Sequence, residues 1–186
     1  MADSARVGGT SVASGVTYAV AAGTEGGPAA PYSPAGVGQA ATVGATGRQD
    51  KKPAFSDRGS AVDPFAPAVS ITSASAAGTT GRATHPGAST ASPHGAGAAA
   101  PHLAEHRRAA PEQVANALVR GAADEKVTGR GPGSPNRPPQ VPRRWRHGRR
   151  PPVTARRGGT GGRGSGPARD GSVPHGRGRS CVSTYA

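Results

Sequence analysis

Leucine occurs twice in 186 residues, isoleucine once, phenylalanine twice, tryptophan once and cysteine once. Together with 15 valines, the large aliphatic side chains and phenylalanine come to 20 of 186. That share is about 11%, and disorder sets in below roughly 20% when net charge is high. Ordering a residue costs on the order of 1–2 kcal/mol of backbone entropy, which apolar burial has to offset. The scarcity predicts a predominantly intrinsically disordered, low-complexity Gly/Ala/Pro/Arg-rich chain with at most one short α-helix near 111–127. A lone Cys181 excludes an intrachain disulfide and a cysteine-based zinc cluster, and it lies too far from the end for prenylation. No apolar run is long enough to span a bilayer. The start, MADSARVGGTSVASGVTYAVAAG, has a weak Val/Ala stretch. Asp3 and interruptions by Ser, Gly, Thr and Tyr leave no convincing signal peptide. Localisation stays unknown on this reading, nuclear or nucleolar only in a eukaryotic or viral setting.

Acids are scarce too: ten Asp and Glu stand against 23 Lys and Arg, for a net charge of +13. What fills the chain is 36 Ala, 30 Gly, 20 Arg and 19 Pro. All four have GC-rich codons. The composition therefore also fits translation of GC-rich DNA outside its reading frame, with no selected biochemical function.

Three zones follow. Residues 1–100 read as a near-neutral Gly/Ala/Ser/Thr/Pro tract without a repeat, a flexible coil by default. Residues 101–128 form a marginal helical segment. Pro111 suits a first turn, Val114, Leu118 and Ala122 recur at i, i+4, i+8, and Gly129 stops the run. Residues 129–186 are an Arg/Gly/Pro-rich basic tail in which Asp170 is the only acid.

His102-Leu103-Ala104-Glu105-His106 has the H-x-x-E-H form, which resembles the motif of insulinase-like peptidases. That resemblance implies a zinc site with a further glutamate far downstream, and no Glu follows Glu125. Adventitious metal binding by His85, His94, His102 and His106 is the most this pattern supports, and no metal site is expected. Gly159 to Gly164 fits G-x-G-x-x-G, but its flanks PPVTARR and SGPARD supply neither strand nor helix. Pro139, Pro142 and Arg144 resemble a ligand of Src-homology 3 domains, a polyproline II edge with a basic residue beside it.

The strongest signal is the tail, which resembles the Arg/Gly-rich tails of nucleic-acid-binding proteins. Arg143, Arg144, Arg146, Arg149, Arg150, Arg156, Arg157 and Arg163 would neutralise phosphates, and Trp145 would stack on an unpaired base. The sequence reading is thus a non-enzymatic basic chain that binds polyanions, RNA or DNA, without sequence preference. It expects no cofactor, membrane, small-molecule substrate or homo-oligomer.

Overall fold

A computed structural model describes residues 9–122, 126–136, 138 and the backbone of 182–185. A helical segment over residues 9–13 (α1) leads into β1, Thr17–Ala21, followed by β2, Ala41–Thr46, and β3, Phe65–Pro67. A hairpin of β4, Ile71–Ala74, and β5, Arg82–His85, precedes two helices, α2, Ala88–Glu105, and α3, Pro111–Arg120. The chain returns as β6, Val182–Tyr185. The main sheet has the order β3-β2-β1-β6 and is parallel throughout.

Strand β2, ATVGAT, is buried at all six positions. Such continuous burial is the mark of a parallel strand covered on both faces. Two long connections, residues 22–40 and 47–64, carry the chain between the parallel strands without a helix, and they brace each other. Arg58 N–H donates to Gly27 O (2.8 Å), Ala29 N–H to Arg58 O (2.9 Å) and Gly26 N–H to Phe55 O (2.8 Å).

The 18-residue α2 lies over the sheet, antiparallel to the strands. Its start is tied to the residue after β3, Gly87 N–H donating to Ala68 O at 3.0 Å. Midway, the buried Ser92 Oγ donates to Ala19 O at 2.8 Å. Its far end packs with Ala41 at the beginning of β2, together with Val114 and Leu118 of α3.

The disorder expected from composition is corrected here. Among the described residues 23 buried hydrophobics form the core, and 13 of them are alanine, with seven valines, Phe65, Leu103 and Leu118. Counting large side chains missed this interior. Alanine buries little area by itself, yet it lets helix and sheet backbones come close, and dispersion between densely packed backbones replaces side-chain bulk. Glycine extends the effect. A β-carbon at Gly44 would lie 2.5 Å from the ring of the fully buried Phe65. The single expected helix is one of three helical segments among the described residues. Its counterpart α3 ends at Arg120, and the longer α2 went unforeseen.

Asp63 fastens β3 to β2: its N–H donates to Thr42 O and its Oδ2 accepts from Thr42 N–H, both at 2.8 Å. Burial pushes this carboxyl up to about 6 from 3.8, against the opposing pull of the Thr42 N–H. The folded chain thus holds the proton more tightly than the unfolded chain. This contribution to stability is full below about pH 4 and fades as pH rises through about 6, by up to about 3 kcal/mol. Asp63→Asn keeps an acceptor for Thr42 without the charge. In EDTA-containing buffer it is expected to raise the melting temperature at about pH 7.5 and leave it nearly unchanged at about pH 4. Equal shifts at both pH values would show that the buried charge is not the cause.

Candidate active site

In open parallel sheets, ligands meet the protein beyond the carboxyl ends of the strands. Two segments converge on that edge here. One is the continuation of β1 through Ala22, Gly23 and Thr24, held by Ala22 N–H donating to Val43 O at 3.0 Å. The other is the first turn of α2. Ser92 sits over Ala19, so Ser89, one turn earlier in an antiparallel helix, lies over the end of β1.

Ser89 differs from its hydroxyl-bearing neighbours. Thr90 Oγ1 donates to Gly87 O (2.8 Å) and reaches Ala68 O (3.3 Å), and Ser92 Oγ is buried on the sheet. Ser89 is exposed. It follows Gly87, the N-cap, whose φ of 140° is a conformation that side chains rarely adopt. No side chain caps this helix end. Thr90 N–H turns back to Gly87 O at 3.0 Å, which leaves the N–H groups of Ala88 and Ser89 without an intrahelical acceptor at an end where the helix dipole favours negative charge. Pro93 inside the helix has no N–H, so the carbonyl of Ser89 lacks its usual i+4 donor. An exposed hydroxyl beside uncapped N–H groups is the arrangement that acyl transfer requires: a nucleophile with donors placed for the charge that develops on the attacked carbonyl oxygen.

The β1 side of this edge is rigid. Asp57, 1% exposed, accepts from Glu25 N–H (3.0 Å) and Gly27 N–H (2.9 Å) on one oxygen, and its own N–H donates to Gly23 O (3.1 Å). The neighbouring Arg58 guanidinium donates to Gly26 O. Gly23, Glu25, Gly26 and Gly27 are thereby clamped to the second connection.

The subtilase family model matches residues 3–148. The chain belongs to the subtilase family. It is 47% identical over 122 residues to the extracellular serine proteinase of Thermus sp. (strain Rt41A), covering 66% of this chain and 30% of the relative. It is 44% identical over 119 residues to alkaline serine exoprotease A of Vibrio alginolyticus, covering 64% of this chain and 22% of the relative. Among solved structures it superposes on a cold adapted subtilisin-like serine proteinase with a TM-score of 0.68 at 38% identity, covering 71% of this chain and 47% of the other. The chain spans about a third or less of the length of those two curated relatives.

These findings correct the expectation of a non-enzymatic, disordered polyanion binder and that of an out-of-frame translation product. A subtilase chain is a relative of serine peptidases, with a packed sheet and helices. The residues singled out for nucleic acid, Arg143, Arg144, Trp145, Arg146, Arg149, Arg150, Arg156, Arg157 and Arg163, lie outside the described residues, as do Pro139 and Pro142 of the peptide-ligand motif. His102, Glu105 and His106 close α2 at the end remote from Ser89. No group of three or more His, Cys, Asp or Glu among the described residues is placed to hold a metal ion. His94 Nδ1 is bonded to Thr90 O at 2.9 Å.

Sequence reasoning missed Ser89. Its signal was Gly87-Ala88-Ser89-Thr90-Ala91, a glycine and a serine opening a run of small residues. That signal is faint inside a tract already rich in Gly, Ala and Ser.

Proposed function

We propose that this chain is the nucleophile-bearing portion of a subtilase-type serine peptidase, with Ser89 Oγ attacking the carbonyl carbon of a peptide bond. The exposed Ser89 hydroxyl on the uncapped first turn of α2, at the carboxyl edge of a parallel sheet, carries this reading. The uncapped N–H groups of Ala88 and Ser89 would stabilise the tetrahedral oxyanion. The clamped residues 23–27 would give an extended peptide a firm wall.

Triad chemistry also requires an imidazole to take the serine proton and a carboxylate to orient it. In subtilisin the three come in the chain order Asp, His, Ser. Only one histidine, His85, precedes Ser89 in this sequence. No described hydrogen bond joins it, or any imidazole, to Ser89. Among the described residues no base and orienting acid are assembled beside Ser89, and the chain spans at most about a third of its curated relatives' length.

Two outcomes follow. Prolonged exposure of the full chain to a fluorophosphonate is expected to modify Ser89, as mapped by peptide mass spectrometry, and Ser89→Ala to remove that adduct. Peptide hydrolysis by the chain alone is expected to fall about a millionfold short of a complete subtilase, the loss measured for subtilisin itself when one triad member is removed. Modification of a different serine would displace Ser89 as the nucleophile. A rate within tenfold of a complete relative would place the base inside this chain.

A further inference from the structure

The far end of α2, away from Ser89, carries a second feature. About 20 Å away along the helix axis, thirteen residues at 1.5 Å each, its last turn forms an open cleft of about 830 Å³ with α3. The cleft belongs to no part of the peptidase chemistry above. On one wall stand His102 and His106, with ring centroids 4.5 Å apart, followed by Arg107 and Arg108. On the other, α3 presents Gln113, Asn116, Ala117 and Arg120. These four are spaced i, i+3, i+4, i+7, one continuous helix face, while Val114 and Leu118 on another face are buried against α2.

We propose that this cleft is a binding site for small multiply charged oxyanions, the shared chemistry of phosphate and polycarboxylates. Three arginines and two histidines line it against a single acid, Glu105. Arg108 and Arg120 are exposed, and neither has an acidic partner among the described residues. Gln113 is held in place: its Oε1 accepts from Ala110 N–H at 2.8 Å, leaving the amide nitrogen as a donor. Guanidinium forks with amide and imidazole N–H groups are all donors suited to oxyanions. A divalent cation is the wrong occupant. The two imidazoles are spaced for one, but the arginines would repel it and no third ligand converges.

Burial lowers the His102 pKa, and the neighbouring His106 charge lowers it further against the opposing pull of Glu105. The charged groups facing His102 are Glu105 and His106 on α2, Arg107 and Arg108 after it, and Arg120 on α3. A bound oxyanion offsets this cationic surplus, so occupancy raises the His102 pKa and binding tightens as pH falls toward the imidazole range.

The test is a titration of the full chain with inorganic phosphate, and separately with citrate, followed through the histidine ring resonances. The His102 and His106 signals are expected to shift saturably while those of His85 and His94 stay put. A stronger response to phosphate or to citrate distinguishes the two sources of the oxyanion. Arg108→Gln with Arg120→Gln is expected to weaken binding by about tenfold or more. Arg143→Gln with Arg144→Gln in the basic tail is expected to leave the midpoint unchanged. Parallel shifts of His85 and His94 with His102 and His106, or a midpoint that follows the tail variant and not the cleft variant, would overturn the proposal. The wild-type shift pattern decides the matter even if the cleft variant folds poorly.

Discussion

Gly95→Val is expected to lower the melting temperature steeply. A β-carbon built at residue 95 lies 2.6 Å from Val43 Cγ2 and 3.7 Å from Ala19 Cβ. Val43 is fully buried in β2, in one cluster with Ala19, Ala45, Ala66, Ala88 and Ala91, so it cannot give way. Extra methylenes forced into a packed core cost about 1–3 kcal/mol, and valine brings three carbons to a site with no room for one. The gain in helix propensity on leaving glycine returns less than about 1 kcal/mol. The net loss, about 3 kcal/mol or more, is a large share of the roughly 5–15 kcal/mol that holds a domain of this size. The consequence reaches the candidate site. Lifting α2 from the sheet opens the Ser92 to Ala19 bond and carries Ser89 away from the end of β1. Thermal unfolding followed by circular dichroism checks the first effect, and Gly95→Ala should fall between wild type and Gly95→Val. An unchanged melting curve for the valine variant would mean that α2 does not pack at this distance.

The same residue shows why the fold was so little legible in the sequence. Hydrophobic periodicity is read from contrast between large apolar and polar side chains. Helix α2, ASTASPHGAGAAAPHLAE, has almost no contrast: alanine occurs on every side, and Pro93 and Pro101 argue against a helix altogether. What selects its buried face is size. Ala91, Ser92, Gly95, Ala98, Ala99 and Leu103 face inward, and each but the last is small enough for the sheet backbone to approach. Helix α3 was visible because it uses the ordinary code, with Pro111 at its start and Val114 and Leu118 on its buried face. The strands hid for a related reason. In β2 a glycine faces Phe65, so a position that sequence statistics assign to a turn is a packing device. Ser89 was illegible because its meaning depends on tertiary placement. The sheet edge beneath it, at the end of β1, is about 70 residues away in sequence.

Asp57→Ala is expected to cost about 2–5 kcal/mol and to release residues 23–27 selectively. The carboxylate of Asp57 supplies the acceptor for both Glu25 N–H and Gly27 N–H. Removing it leaves two partly buried donors without partners, at about 1–3 kcal/mol each. Nothing else can take its place: the second oxygen lies against Gly23, where a built β-carbon would overlap it, and Gly23 has a φ of 116°. Gly23→Ala should therefore disturb the same loop from the opposite side. Asp57→Asn keeps one carbonyl oxygen for the two N–H groups and should recover part of the loss. Amide hydrogen exchange separates a local effect from a global one. Glu25 and Gly27 should exchange much faster in Asp57→Ala while the amides of β2 remain protected: Ala45 N–H is held by Ser56 Oγ at 2.9 Å, and that hydroxyl donates to the Asp57 backbone carbonyl at 3.1 Å, which the substitution leaves in place. Uniform loss of protection would make Asp57 a general core residue. Retained protection at Glu25 and Gly27 would show that the Asp57 carboxylate does not hold this loop.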